Sequence, residues 1–159
     1  MQAPEEPGEE IVDAVMTASR ALLAVVVRSL AAVDEDVTLP QYRALVVLAQ
    51  RGRMRPAELA AALAVTPPTC TRMCGRLETK GLVVRERPAD DRRAVDVSLS
   101  PAGRGLVEDV SRRRRAELRT LLGGVPTTRR AAVVEGLRSL ADAAGEVAEP
   151  DWAISAVTP

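Results

Sequence analysis

The chain has 159 residues, enough for one domain or for one domain with helical extensions. Lys plus Arg and Asp plus Glu each number 22, so the net charge is zero and identifies no partner. The absence of histidine and the presence of only two cysteines exclude a disulfide scaffold and the usual catalytic triads, and would leave any zinc site dependent on carboxylates. No P-loop, G-x-S-x-G or complete G-x-G-x-x-G motif is present.

The chain is therefore expected to have no enzymatic activity and to need no metal or cofactor. No apolar run approaches the roughly 20 residues that a membrane span needs. The acidic start of the chain lacks the basic and apolar regions of a signal peptide. We therefore expect a cytoplasmic protein without a membrane partner.

The N-terminal region divides into an acidic segment and a long helix. Residues 1–8 are acidic and without apolar periodicity, so we expect them to be flexible. From about residue 9 to residue 33, apolar residues recur at spacings of four and seven, the period of a helix. These residues are Ile11, Val15, Leu22, Val26 and Leu30. The pattern predicts a long amphipathic helix.

Three shorter helices are predicted next. Thr38 is a predicted N-cap, followed by a helix that runs to about residue 50. A short helix from residue 56 to about residue 63 follows, and only three residues separate it from another helix. Thr66 precedes that helix, and Pro67 and Pro68 occupy its first turn, where a missing N–H group has no intrahelical partner to lose.

The helix after Thr66 has two different faces. At 100° per residue, its apolar face consists of Cys70, Met73, Cys74 and Leu77. Its outer face consists of Pro68, Thr71, Arg72, Gly75, Arg76 and Thr79. The two cysteines are therefore interpreted as core residues. Their Cβ atoms, about 5–6 Å apart at this spacing, are too distant for a disulfide, which needs roughly 3.5–4.5 Å.

A hairpin and two further helices complete the predicted fold. The segments LVVRER (residues 82–87) and RAVDVSL (residues 93–99) predict two antiparallel strands. Ser100 and Pro101 then begin a helix that ends at Gly123-Gly124, and a last helix runs from about residue 127 to residue 147. Residues 150–159 show no period and are expected to be flexible. The predicted fold class is mainly α with a small antiparallel β-hairpin.

The order of these elements is typical of a winged helix-turn-helix, here about residues 38–100. The DNA major groove accepts a helix, from which arginine reaches guanine and threonine reaches base edges or phosphates. The predicted contacts from the helix are Pro68, Thr69, Thr71, Arg72 and Arg76. The predicted contacts from the hairpin are Arg85, Arg87, Arg92 and Arg93, at phosphates or in a minor groove.

The conspicuous run SRRRR (residues 111–115) receives a different interpretation. Four consecutive helical positions point all round the helix axis. Acidic residues, Glu108 and Asp109, lie four positions before Arg112 and Arg113, a spacing that favours ion pairs. The run therefore predicts a solvated, ion-paired helix surface, with phosphate contact as the alternative.

The segments LPQYRALVVLAQRG and RPAELAAALAVTPPTCTRMCGRLETKGLVVRERPADDRRAVDVSLSPAG, flanked by long helices, resemble the MarR family of bacterial transcription regulators. The resemblance covers about residues 11–145. It implies that Asp91 and Arg93 match the family's D-x-R wing motif, in which an arginine enters the minor groove, and that Thr69, Thr71 and Arg72 contact DNA. The chain departs from the family pattern at both cysteines and at Gly75, and it lacks the first-helix cysteine of the peroxide-sensing branch.

The resemblance also implies a homodimer, with residues 9–149 forming one MarR-like domain and the helices at about 9–33 and 101–147 forming the dimer contact. Physical reasoning agrees, because these helices carry more apolar surface than one small winged domain can cover. A two-fold dimer predicts a pseudo-palindromic DNA site with half-sites about 34–36 Å apart.

The resemblance further implies an aromatic or phenolic effector, in a cleft between the dimer helices and the DNA-reading lobe. Arg20 and Tyr42 are candidate polar groups for this cleft. The alternative for Arg20 is a surface ion pair, and the alternative for Tyr42 is a place in the core.

The sequence thus predicts a homodimeric regulator that binds double-stranded DNA as a repressor and is released by a small molecule. One alternative is a winged-helix protein-interaction module, which need not keep arginines on both the helix and the wing. The other alternative is a redox-responsive regulator that uses Cys70 and Cys74.

Overall fold

Six α-helices and two β-strands are present in residues 8–87 and 95–147, the residues that a computed structural model of the chain describes. The helices are α1 (Glu9–Ala31), α2 (Leu39–Arg51), α3 (Pro56–Ala62), α4 (Pro67–Thr79), α5 (Pro101–Gly123) and α6 (Arg130–Ala143). The strands are β1 (Val83–Glu86) and β2 (Asp96–Leu99). The mainly helical fold and the antiparallel hairpin predicted from the sequence are confirmed. The predicted N-terminal segment, hairpin turn and C-terminal tail lie almost wholly outside the described residues.

Side-chain caps explain where several helices begin. The Thr38 hydroxyl accepts a hydrogen bond from the Gln41 amide at 3.4 Å, and Oε1 of Gln41 accepts one from the Thr38 amide at 3.1 Å, which is a capping box. The Ser100 hydroxyl accepts from the Gly103 amide at 3.0 Å. Thr66 precedes α4 as predicted, but its hydroxyl donates to the hydroxyl of Thr69 instead of capping a backbone group.

The last predicted helix is shorter than expected. A 3₁₀ turn (Thr127–Arg129) leads into α6, which ends at Ala143, four residues before the predicted end. Gly145 has a φ of 66°, a left-handed conformation that glycine adopts without the Cβ clash of other residues. The turn at this glycine therefore ends the helix.

The hydrophobic core lies between α2, α3, α4, the hairpin and the N-terminal half of α5. Its fully buried side chains include Leu45, Val47, Leu59, Cys70, Cys74, Leu77, Val97, Val107 and Val110. The α4 residues of this set are those that helical spacing assigned to its apolar face. The core therefore fixes which face of α4 is presented outward.

A third short strand segment supports the hairpin. Val83 pairs with Leu99, and Arg85 pairs with Val97, in an antiparallel register. On the other edge of β2, Met54 exchanges two backbone hydrogen bonds with Val97, at 3.0 and 2.8 Å. This bridge was not predicted from the sequence. It supports a hairpin that would have only marginal stability by itself.

Long helices extend beyond the core on one side. Glu117 of α5 accepts hydrogen bonds from the Arg28 guanidinium and the Ser29 hydroxyl of α1, at 2.9 to 3.1 Å. Helix α6 contains no buried residue. Across residues 8–87 and 95–147, none of the helices is both long and apolar enough to cross a membrane.

Candidate nucleic-acid interface

Helix α4 presents a polar and basic surface because its other face is buried. Pro68, Thr71, Arg72, Arg76 and Thr79 are exposed, whereas Thr69 and Gly75 are partly exposed. Cys70, Cys74 and Leu77 are completely buried on the opposite side. All five α4 residues predicted to contact DNA thus lie together on the exposed or partly exposed side of one helix.

Some of the described arginines contact a carboxylate, and the two arginines of α4 belong to those that do not. Arg28, Arg43, Arg53, Arg85 and Arg112 each contact a carboxylate. Within the described part of the chain, neither arginine of this helix takes part in an ion pair. Their guanidinium groups are therefore available to an external acceptor, and each carries five N–H donors suited to phosphate or guanine.

A cavity of about 290 Å³ lies beside these arginines. Thr38, Pro40 and Gln41, at the start of α2, line one side of it. Thr69, Arg72, Met73 and Arg76 of α4 line the other side. Among the described residues no acidic side chain lines this cavity, two guanidinium groups do, and the Lys80 ammonium lies 3.4 Å from Oε1 of Gln41, so its lining is electropositive.

The two described hairpin arginines have different environments. Arg87 follows β1 and is exposed, as expected for a DNA contact. The Arg85 side chain is only 28% exposed; its Nη1 lies 3.5 Å from Oε2 of Glu78 on α4, and its buried Nε has no hydrogen-bond partner among the described residues. Arg85 thus lies between the hairpin and α4. This position is less accessible to DNA than the contact predicted from the sequence requires. Asp91, Arg92 and Arg93, the other predicted wing contacts, lie outside the described residues.

An ion pair next to the hairpin was missed by the sequence analysis. Nη2 of Arg53 donates to Oε2 of Glu86 at 2.6 Å, beside the bridge formed by Met54. The signal in the sequence is the alternation R-G-R-M-R at residues 51–55, which is consistent with a short extended segment.

The cysteine thiols are side by side but protected. The Sγ atoms of Cys70 and Cys74 are 4.0 Å apart, and both residues are free cysteines. Desolvation raises the pKa of the Cys70 thiol, and it raises the pKa of the Cys74 thiol from 9.0 to about 12, with a smaller opposing effect of the Arg85 charge. Since the thiolate is the reactive form, this site does not have the electropositive, exposed character of a redox cysteine.

The two effector candidates are not near each other in any described cavity. Tyr42 is 4% exposed and belongs to the core, whereas Arg20 is exposed and its Nη2 donates to the Thr17 hydroxyl at 3.3 Å. A cavity of about 420 Å³ does lie between α1 and α5, beside the Arg28–Glu117 ion pair and lined otherwise mostly by alanine and aliphatic side chains. Neither candidate lines that cavity.

The arginine run on α5 is ion-paired with a different spacing from the predicted one. Arg112 contacts Asp109, three residues before it, and not the residue four positions before. Arg115 also has an interaction partner. Among the residues described, no cluster of three or more Cys, Asp or Glu side chains could hold a metal ion.

Comparison with known proteins yields a family and several relatives. A model of the MarR family matches residues 35–94. The HTH-type transcriptional repressor MdtR of Bacillus subtilis is 35% identical over 82 residues, which cover 52% of this chain and 53% of MdtR. The chain spans between 51% and 57% of the length of the first curated relatives that it matches.

Solved structures extend the similarity to most of the chain. The crystal structure of RV1404 from Mycobacterium tuberculosis is 36% identical, with a TM-score of 0.85, and the match covers 91% of this chain and 99% of that one. BpsR of Bordetella bronchiseptica, described for the regulation of its DNA binding by 6-hydroxynicotinic acid, is 26% identical with a TM-score of 0.62, over 88% of this chain and 99% of that one. The match to RV1404 covers enough of the chain to include parts of the long helices α1 and α5 as well as α2, α3, α4 and the hairpin.

Proposed function

Because this chain belongs to the MarR family, we propose that it is a DNA-binding transcriptional regulator, and that it acts as a homodimeric repressor in the cytoplasm. The observation that carries the proposal is the exposed face of α4. There, Arg72 and Arg76 lie one turn apart without an ion pair to any residue that the structure describes, on a helix whose opposite face is fixed in the core. A helix of this kind fits the major groove, where arginine reads guanine and threonine contacts base edges or phosphates.

Exposed apolar side chains support the homodimer. They lie on the helices outside the central core, at 39% to 58% exposure: Ile11, Val12, Val15, Met16, Leu23 and Val27 on α1, Leu121 and Leu122 on α5, and Val134, Leu137 and Leu140 on α6. Such a set of apolar side chains is unfavourable in water and is typical of a protein interface. In the proposed dimer a second copy covers it, and the two α4 helices then read a pseudo-palindromic site.

Repression and effector release are the finer parts of the proposal. MdtR is a repressor by name, and BpsR has its DNA binding regulated by a small aromatic acid. The cavity between α1 and α5 supports an effector site in this chain, because it joins an apolar lining to the Arg28–Glu117 ion pair, whose guanidinium has further N–H donors and whose carboxylate can accept from a hydroxyl group. We therefore place the effector near Arg28 in preference to Arg20 or Tyr42.

The experiment that tests DNA binding uses fluorescence anisotropy with labelled duplexes recovered by random-sequence selection. We expect the double variant Arg72→Ala/Arg76→Ala to bind at least roughly 1,000-fold more weakly than wild type, since each arginine contact contributes about 1–3 kcal/mol and the dimer loses four of them. The matched control is Arg113→Ala/Arg138→Ala, which removes the same charge from exposed positions of α5 and α6.

Two outcomes would contradict this assignment. Equal binding by the α4 double variant and wild type would show that α4 does not read DNA. Failure of the wild-type protein to bind any duplex would favour the alternative function, a winged-helix module that binds another protein.

A further inference from the structure

The cavity between α2 and α4 contains hydrogen-bond donors from both helices. Gln41 of α2 is only 6% exposed and lines this cavity. Its Oε1 atom accepts hydrogen bonds from the Thr38 amide at 3.1 Å and from Nζ of Lys80 at 3.4 Å. These contacts fix the orientation of the side-chain amide. Its Nε2 donor makes no hydrogen bond to another described residue and, unlike Nε of Arg85, is not a completely buried atom.

The two arginines approach the cavity from different positions on α4. Arg72 projects from the side opposite Cys70, which is the crest of the exposed face. Arg76 lies one turn later and about 40° further round the helix, toward α2. Both arginines line the cavity, and Arg76 begins from the position nearer to α2, whereas Arg72 begins from the centre of the exposed face.

The chemistry of the cavity matches a phosphate group. In the described part of the chain, its charged lining consists of two guanidinium groups without ion pairs, and its polar lining adds the Gln41 amide and the Thr69 hydroxyl. Arginine forms short, charge-assisted hydrogen bonds with phosphate oxygens, and side-chain amides and hydroxyls commonly add to such contacts in DNA complexes. A volume of about 290 Å³ accommodates one phosphate with water.

We propose that this cavity binds one phosphate of the DNA backbone, held by Arg76 and by the Nε2 amide of Gln41. This inference rests on the proposed function and assigns a different role to each of the two arginines. Arg76 contributes affinity and salt dependence for any DNA sequence, whereas Arg72 contributes the discrimination between sequences. Gln41 becomes a DNA contact located outside α4.

The substitution Gln41→Glu tests the proposal without removing the helix cap. A glutamate at this position can still accept from the Thr38 amide and from Lys80, because Glu and Gln serve equally in a capping box. Only the Nε2 donor is replaced, by a carboxylate oxygen that repels phosphate. The matched control is Gln50→Glu, which makes the same change in the last turn of α2.

Anisotropy titrations on a selected duplex and on a scrambled duplex, each over a salt series, measure the effect. We expect Gln41→Glu to bind both duplexes at least roughly tenfold more weakly, with an unchanged melting temperature. Arg76→Ala should reduce the slope of log affinity against log salt by about 1.8, since the dimer loses one phosphate contact in each half-site, and leave the ratio between the two duplexes within about twofold of wild type. Arg72→Ala should lower that ratio by roughly tenfold.

The results separate this inference from the proposed function. If wild type binds DNA and Gln41→Glu binds as tightly as Gln50→Glu, no phosphate occupies the cavity. The same conclusion follows if Arg76→Ala changes the ratio between duplexes but not the salt slope. If wild type binds neither duplex, the proposed function fails, and this inference fails with it.

Discussion

The two cysteine side chains of α4 show how burial determines the chemistry of a residue. Sequence spacing assigned Cys70 and Cys74 to the apolar face, and both are completely buried there. Their Sγ atoms are 4.0 Å apart on an intact helix, a spacing too wide for a disulfide, and desolvation raises the pKa of both thiols. The structure thus favours the core interpretation over a thiol switch.

The raised pKa of Cys74 predicts a loss of stability at alkaline pH. The unfolded chain releases this thiol proton near pH 9, whereas the folded chain holds it to about pH 12. Above pH 9 the unfolded state therefore binds fewer protons, and the free energy of unfolding falls as the pH rises toward 12. Urea unfolding of wild type and Cys74→Ala at pH 7.5 and pH 10.5 measures this effect.

We expect the drop between the two pH values to be larger in wild type than in Cys74→Ala. The variant supplies the control for lysine and tyrosine groups, which titrate in the same range in both proteins. An equal drop in both proteins would show that the Cys74 thiol does not titrate abnormally, and the redox alternative would then regain support.

The packing of α5 against β1 shows how two elements are joined at one residue. A Cβ atom on Gly103 would lie 2.0 Å from the backbone oxygen of Leu82, so only glycine allows this approach. The Ser100 hydroxyl donates to the backbone oxygen of Gly81 at 2.6 Å, which adds a second contact between the start of α5 and the residues before β1. These contacts hold the start of α5 against the residues that lead into β1.

Gly103→Ala is expected to destabilise the protein, because backbone must shift to remove the clash. Overpacking of this kind costs about 1–3 kcal/mol, and a clash with backbone belongs at the upper end of that range. Gly105→Ala in the same helix is the matched control, since a Cβ there meets no atom within 4 Å. The control is expected to stabilise by up to about 1 kcal/mol through helix propensity.

Urea unfolding of both glycine variants measures their free energies of unfolding. Similar stabilities for Gly103→Ala and Gly105→Ala would contradict the close approach of α5 to the hairpin.

The terminal helices determine the behaviour of the molecule as a whole. Helix α6 has no buried residue, and its apolar side chains project from the fold. Burial of such side chains contributes roughly 25 cal/mol per Å². In the proposed dimer, this contribution comes from the second copy and not from the chain's own core.

Leu137→Glu is expected to shift the protein from dimer to monomer, because a charge would replace a side chain that is 48% exposed in the single chain and buried in the proposed interface. Light scattering after size exclusion measures the mass. Ser139→Glu, about 160° away round the same helix from Leu137, is the matched control and should remain dimeric. A wild-type mass equal to one chain at micromolar concentration would contradict the proposed dimer.

Local rules in the sequence were sufficient for the elements and for the faces of α4. The caps at Thr38 and Ser100, the paired prolines of α4 and the apolar spacing of Cys70 and Leu77 all concern residues within one or two turns of each other. Such interactions depend on neighbours in the chain, so a sequence pattern contains the information needed to predict them.

Contacts between distant segments were decided only by the tertiary structure. Three arrangements join residues from different elements: the bridge of Met54 to β2, the half-buried position of Arg85 against Glu78, and the cavity that Gln41 and Arg76 both line. The residue types alone do not specify these pairs, because the packing of the common core sets the distances between elements. The sequence identified a basic helix, and the folded chain determined which donors surround the candidate phosphate site.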